Sequence, residues 1–156
     1  CASLGSSLSA SVVFLSGLCT WVLALPAAIG DKVARPDVPV VAMHDDAGVM
    51  FTIQYLMTAV EHQISVILFV FNDQGYGVER RHQDHLYGRR SGVDIKSPDF
   101  VGLAKSFGAN AIRVDDLSKV GEAANVALNN VGPTLIEVPC DFKHPGYGSF
   151  IDWSKE

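Results

Sequence analysis

The chain has 156 residues, 48% of them hydrophobic and 19% charged, with a formal net charge of −5. That length suits one domain with a sizeable core, and the composition excludes a wholly disordered chain. The acidic balance argues against a general nucleic-acid binder, because phosphate backbones are held by clustered Lys and Arg.

The first 30 residues carry no charge, and residues 8–29, LSASVVFLSGLCTWVLALPAAI, are long enough to span a bilayer. No basic flank or aromatic belt brackets them, so a buried segment is expected, with a membrane or targeted N-terminus as the alternative. One small domain would not easily cover that much apolar surface, so residues 1–30 are expected to pack partly against another chain or domain. The sequence opens on Cys1 rather than Met, which points to a processed or excised chain. Cys1, Cys19 and Cys140 form no CxxC pair and no metal-binding spacing, which fits a reduced, cytoplasmic setting.

TWVLALPAAIGDKVA reads as a helix stopped at RPD, and VPVVAM (38–43) as a strand buried on both faces. Val49, Ile53, Leu56 and Val60 form a helical stripe over 49–61. ISVILFVF (64–71) is a second buried strand. SPDFVGLAKSFG predicts a helix with Ser97 as N-cap, Pro98 at the first position and Gly108 closing it in a left-handed conformation. RRHQDHLYGRR (80–90) reads as a solvated loop; His82, Asp84 and His85 are a weak candidate metal site, and the four arginines a candidate contact for an anionic substrate or a partner domain. AIRV, DLSKVGEAANVALNN and PTLIEVP follow as strand, helix and strand. Strands alternating with helices predict a three-layer α/β sandwich around a mostly parallel sheet, without a linker that would divide the chain.

In such sheets ligands bind beyond the carboxyl ends of the strands. Two of those ends carry polar clusters, HDDAG and NDQGYG. Asp46 and Asp73 would converge there if their strands are neighbours, and rigidly held carboxylates suit Mg²⁺ or Ca²⁺. A helix beginning near Gly48 offers free N–H groups to a phosphate, while Gly75 and Gly77 permit close approach of the second loop. Plain alternatives stand beside this reading. The two aspartates fit a solvated loop or helix cap, Asp73 with Gly75 fits an ordinary turn, and Glu79 beside Arg80 and Arg81 fits a surface charge pair.

ALPAAIGDKVARPDVPVVAMHDDAG, followed after a spacer by FNDQGYGVERRH, resembles the cofactor-holding domain of thiamine diphosphate enzymes. YGRRSGVDIKSPDFVGLAKSFGA and PTLIEVPCDF are most similar to acetolactate synthase and related 2-oxoacid decarboxylases. The likeness runs over about residues 17–142, leaving 1–16 poorly matched. It implies that Asp46, Asp73 and the Gly75 carbonyl hold Mg²⁺. It further implies that Cys19, Trp21, Ala47, Gly48, Tyr76 and Val78 contact thiamine diphosphate, with Trp21 beneath it, and that Glu79 transfers a proton. The implied substrate is a small 2-oxoacid. In this family an activating glutamate comes from a separate pyrimidine-binding domain, so the resemblance implies such a domain or subunit in trans, in a homo- or hetero-oligomer. The chain is then a fragment, a small subunit or a degenerate relative. Departures from the family pattern, Asp45 and Ala47 for two glycines and the bulky Trp21, Val22 and Leu23, motivate the alternative of a catalytically silent domain kept for assembly or regulation.

Overall fold

The computed structural model describes residues 22–140. Four strands, β1 (Val40–Asp45), β2 (Val66–Asn72), β3 (Asn110–Arg113) and β4 (Thr134–Pro139), form one sheet in the order β1-β2-β4-β3. All three pairings are parallel. The helices are α1 (Ala24–Ala34), α2 (Asp46–Val49), α3 (Tyr55–Glu61), α4 (Gly77–Tyr87), α5 (Phe100–Ser106) and α6 (Val120–Asn129). Among the described residues none is long and apolar enough to cross a membrane.

Two apolar layers cover the two faces of the sheet. On one face Leu25, Ile29, Val49, Leu56, Phe100 and Ala104 pack on Ala42, Leu68, Val70 and Leu135. On the other, Ala123 and Ala127 of α6 pack on Ile67, Phe69, Ile136 and Val138. The expected α/β sandwich is therefore the observed architecture. β2, and β4 apart from its buried Glu137, read as apolar runs because each has a neighbouring strand on both sides and helices above and below. β1 corrects the expectation of a strand buried on both faces: it lies at the edge of the described sheet, only its Ala42 and His44 are buried, and Val41 and Met43 face outward because no described helix covers that side.

Three local readings are corrected. The stripe over 49–61 does not form one helix: α2 ends at Val49, turns occupy the interval, and α3 starts at Tyr55. The stripe persists, since Val49, Ile53 and Leu56 are buried and Val60 packs against the same core. Asp99, not Ser97, caps α5, accepting the Gly102 N–H at 2.9 Å. Residues 80–87 belong to helix α4, half-buried over 80–83 and exposed beyond, rather than to a loop. Gly108 does take the left-handed conformation, with φ of 86°. Of the uncharged stretch 1–30, Leu25, Ala28 and Ile29 are buried against the chain's own core; residues 1–21 lie outside the described set.

Candidate active site at the ends of β1 and β2

β1 and β2 pair in register up to Asp45 opposite Phe71, so both chains leave the sheet side by side. Asp46 opens α2 and is only 1% exposed. Its Oδ2 accepts hydrogen bonds from the Gly75 N–H, at 3.0 Å, and from the Ser97 hydroxyl. Ser97, expected as a helix cap, thus serves this site. Asp73 follows β2 directly, and its side chain is 6% exposed. Burial, and then the negative charge of Asp46, push its carboxyl up to about 6, against the opposing charge of Arg80.

The Asp46 carboxylate raises the Asp73 carboxyl, and Asp46 Oδ1 and Asp73 Oδ2 are both buried without a hydrogen-bond donor. Neighbouring carboxylates with buried, unpartnered oxygens repel unless a proton or a cation lies between them. The nearest fixed cation is Arg80, whose Nη1 is 3.9 Å from Asp73 Oδ2, beyond hydrogen-bonding distance. Among the described residues no group of three or more His, Cys, Asp or Glu is arranged to hold a metal. An ion here would therefore need backbone or ligand oxygens besides the two carboxylates. The donor set is all oxygen, which suits a hard divalent cation.

Asp45 is the N-cap of α2, its Oδ1 accepting the Gly48 N–H at 3.2 Å. The helix thus begins at Asp46, ahead of the expected Gly48, and the Gly48 N–H already has a carboxylate partner. Ala47 and Gly48 are buried beside it. Buried His44 places Nδ1 3.7 Å from Asp45 Oδ1.

The second loop is held mainly by Arg80. Its Nη1 donates to the Asp73 carbonyl at 2.8 Å, its Nη2 to the Gln74 carbonyl, and its Nε lies 2.7 Å from Asp94 Oδ1. A Cβ on Gly75 would overlap this guanidinium and stand 2.5 Å from the Val93 carbonyl, so the loop closes only with glycine there. Tyr76 precedes α4 and donates its N–H to the Val93 carbonyl at 3.0 Å. Val78 and Glu79 lie in the first turn of α4, Val78 38% exposed and Glu79 half-buried. Arg80 faces Asp73 and Asp94 instead of forming a surface pair with Glu79. Asp84 is engaged by Arg90, at 2.7 Å from its Nε, and is not free to join His82 and His85 around a metal. Cys19 and Trp21 lie outside the described residues.

Residues 6–138 match the family described as thiamine pyrophosphate enzyme, C-terminal TPP binding domain. The chain belongs to this family. The thiamine diphosphate-binding domain is 33% identical over 132 residues to an acetolactate synthase of Bacillus subtilis (strain 168), covering 85% of this chain and 23% of the relative. It is 36% identical over 132 residues to a probable acetolactate synthase large subunit of Methanococcus aeolicus, covering 82% and 22%. Its fold matches a Rhodococcus jostii RHA1 thiamine diphosphate-dependent 4-hydroxybenzoylformate decarboxylase with a TM-score of 0.71 and 33% identity, over 77% of this chain and 23% of that one. The chain therefore spans less than a quarter of the length of these relatives.

The sequence marked neither Ser97 and Arg80 as supports of this site nor Asn72 and Glu137, whose side chains meet at 2.7 Å behind the second loop. Glu137 had a visible signal: it is the one charge in the apolar run PTLIEVP. Ser97 had none, because 51 residues separate it from the carboxylate it contacts.

Proposed function

We propose that this domain binds thiamine diphosphate through Mg²⁺ and forms the cofactor-holding part of a 2-oxoacid decarboxylase or carboligase of acetolactate synthase type. The observation that carries the reading is the pair of buried, donorless oxygens of Asp46 and Asp73 at adjacent strand ends, in a chain of this family. A divalent ion would satisfy both, with the Gly75 carbonyl as a third ligand and diphosphate oxygens beyond. The Ala47 N–H would face the diphosphate, and the Gly48 N–H would join it on exchanging its Asp45 partner for a phosphate oxygen. Tyr76, Val78, Cys19 and Trp21 would line the cofactor, and Glu79 would give or take a proton at the substrate. When bound, the cofactor supplies the electron sink that lets a 2-oxoacid lose CO₂, while the protein binds and aligns it. The pyrimidine-binding domain or subunit, the oligomer it implies and a cytoplasmic setting belong to the same proposal. Substrate class is supported by relatives named for acetolactate synthesis and for decarboxylation of 4-hydroxybenzoylformate.

Calorimetric titration of the intact protein with thiamine diphosphate tests this. Binding should require Mg²⁺ and should vanish in Asp46→Ala, which removes a metal ligand. Binding that ignores Mg²⁺, or that survives Asp46→Ala, overturns the proposal. One observation favours a second reading, a silent domain: Asp45 already occupies the Gly48 N–H and adds negative charge beside a diphosphate site. Absence of any cofactor binding by the parent would favour that reading.

A further inference from the structure

A chain of hydrogen bonds crosses the carboxyl ends of all four strands. It begins at Arg113, the last residue of β3, whose Nη1 donates to Glu137 Oε1 at 2.9 Å. Glu137 on β4 is 2% exposed, an expensive place for a charge unless the charge is paired and put to use. The same Oε1 accepts the side-chain N–H of Asn72, at the end of β2, at 2.7 Å. Asn72 Oδ1 in turn accepts the Gln74 N–H at 3.1 Å. The next residue, Gly75, donates its N–H to Asp46, which follows β1.

The chemistry gives this chain a direction. An amide side chain can turn either end toward a neighbour, but a carboxylate only accepts. Glu137 therefore draws the NH₂ end of Asn72 toward itself and leaves the carbonyl end to face the loop. There it captures Gln74, a non-glycine residue held at φ of 61°. Such a conformation is costly for an L-residue and persists where its surroundings impose it.

We propose that Glu137 is a positioning residue that, through Asn72, sets the loop 72–75 in the conformation that receives the cofactor. Glu137 touches neither Asp46 nor Asp73 in any hydrogen bond or ion pair described; it acts through Asn72. The cofactor part of this inference rests on the functional reading above, whereas the positioning part does not.

The test is hydrogen exchange on the intact protein without cofactor, comparing peptides that cover 72–78 with those that cover 64–71. Glu137→Ala should speed exchange at Gln74 and Gly75 by at least about ten-fold, well beyond any change in β2. Glu137→Gln, which keeps an oxygen for Arg113 and Asn72, should stay close to the parent. If Glu137→Ala does not fold, Asn72→Ala carries the same expectation from the next link of the chain. Loop exchange that is unchanged, or that rises only in step with β2, overturns the proposal. Titration with thiamine diphosphate and Mg²⁺ forms the second arm. Affinity should fall about 10- to 100-fold in the alanine variants and recover in Glu137→Gln, the range for outer partners of metal ligands. A loosened loop with unchanged affinity overturns the cofactor role of Glu137. A parent that binds no cofactor defeats the functional reading instead, and the exchange result still judges the positioning.

Discussion

Asp45 and Asp46 are adjacent carboxylates with opposite situations. Asp46 is buried and points to Gly75 and Ser97, while the Asp45 side chain is 43% exposed and caps α2. Replacing Asp45 by glycine removes a negative charge near the diphosphate and releases the Gly48 N–H. The lost cap costs only a few tenths of a kcal/mol when glycine takes its place. Asp45→Gly should therefore bind Mg²⁺–thiamine diphosphate more tightly than the parent, by about 1 kcal/mol if the charges interact at an effective dielectric near 20. Calorimetry on the parent, Asp45→Gly and Asp46→Ala decides; weaker binding by Asp45→Gly together with normal binding by Asp46→Ala would make Asp45, not Asp46, the ligand.

Asp73 predicts a pH dependence at the same scale. Its folded carboxyl sits at about 6, raised from 3.8 by burial and by Asp46. Between those values the cofactor-free folded protein holds a proton that the unfolded chain has lost. By linkage, its stability then falls as pH rises through that window. Metal affinity should move the other way, weakening as pH drops below about 6, because the ion must displace that proton. Thermal melts of the cofactor-free protein across the window should show the first trend, and Asp73→Asn should flatten it. Mg²⁺ titrations over the same range should show the second.

Among the elements, α5 and the segment before it separate two roles that the sequence merged. Asp99 caps the helix, and Ser97 reaches Asp46. Asp99→Ala should lower stability by about 1 kcal/mol, the usual loss for a cap. Ser97→Ala should leave α5 intact and loosen the Asp46 side chain, so its effect should appear in metal affinity more than in the denaturation midpoint. At the far end of α5, Gly108 sits at φ of 86° with open space except for Val60. Gly108→Ala should cost about 1–2 kcal/mol through backbone strain alone. Urea denaturation of the variants measures both stability losses.

For the molecule as a whole, the buried layers against the sheet dominate stability. Leu68, fully buried in the larger apolar layer, should cost about 2–5 kcal/mol when replaced by alanine. Met43 lies one strand away on the opposite face and is 65% exposed. Met43→Ser should stay within about 0.5 kcal/mol in this chain by itself. A chemical-denaturation series distinguishes the two; a large loss at Met43 would mean that something covers that face in solution.

The sequence by itself determined the α/β alternation, the buried strand β2 and the polar clusters at the ends of β1 and β2. Unbroken apolar runs such as VILFVF have few other places to go, and helix stops such as Gly108 work through local geometry. It also placed Asp46 and Asp73 at the carboxyl ends of their strands, because each follows its strand directly, while the pairing of β1 with β2 made them neighbours. Only the tertiary structure decided which polar groups meet there. Ser97 could bond locally or reach across the fold, and the turn energies are too similar for the sequence to choose. Arg80 turned inward because Gly75 leaves room for its guanidinium. Glu137 found Asn72 because β4 inserts between β2 and β3, a strand order fixed by packing over long chain separations rather than by any local pattern.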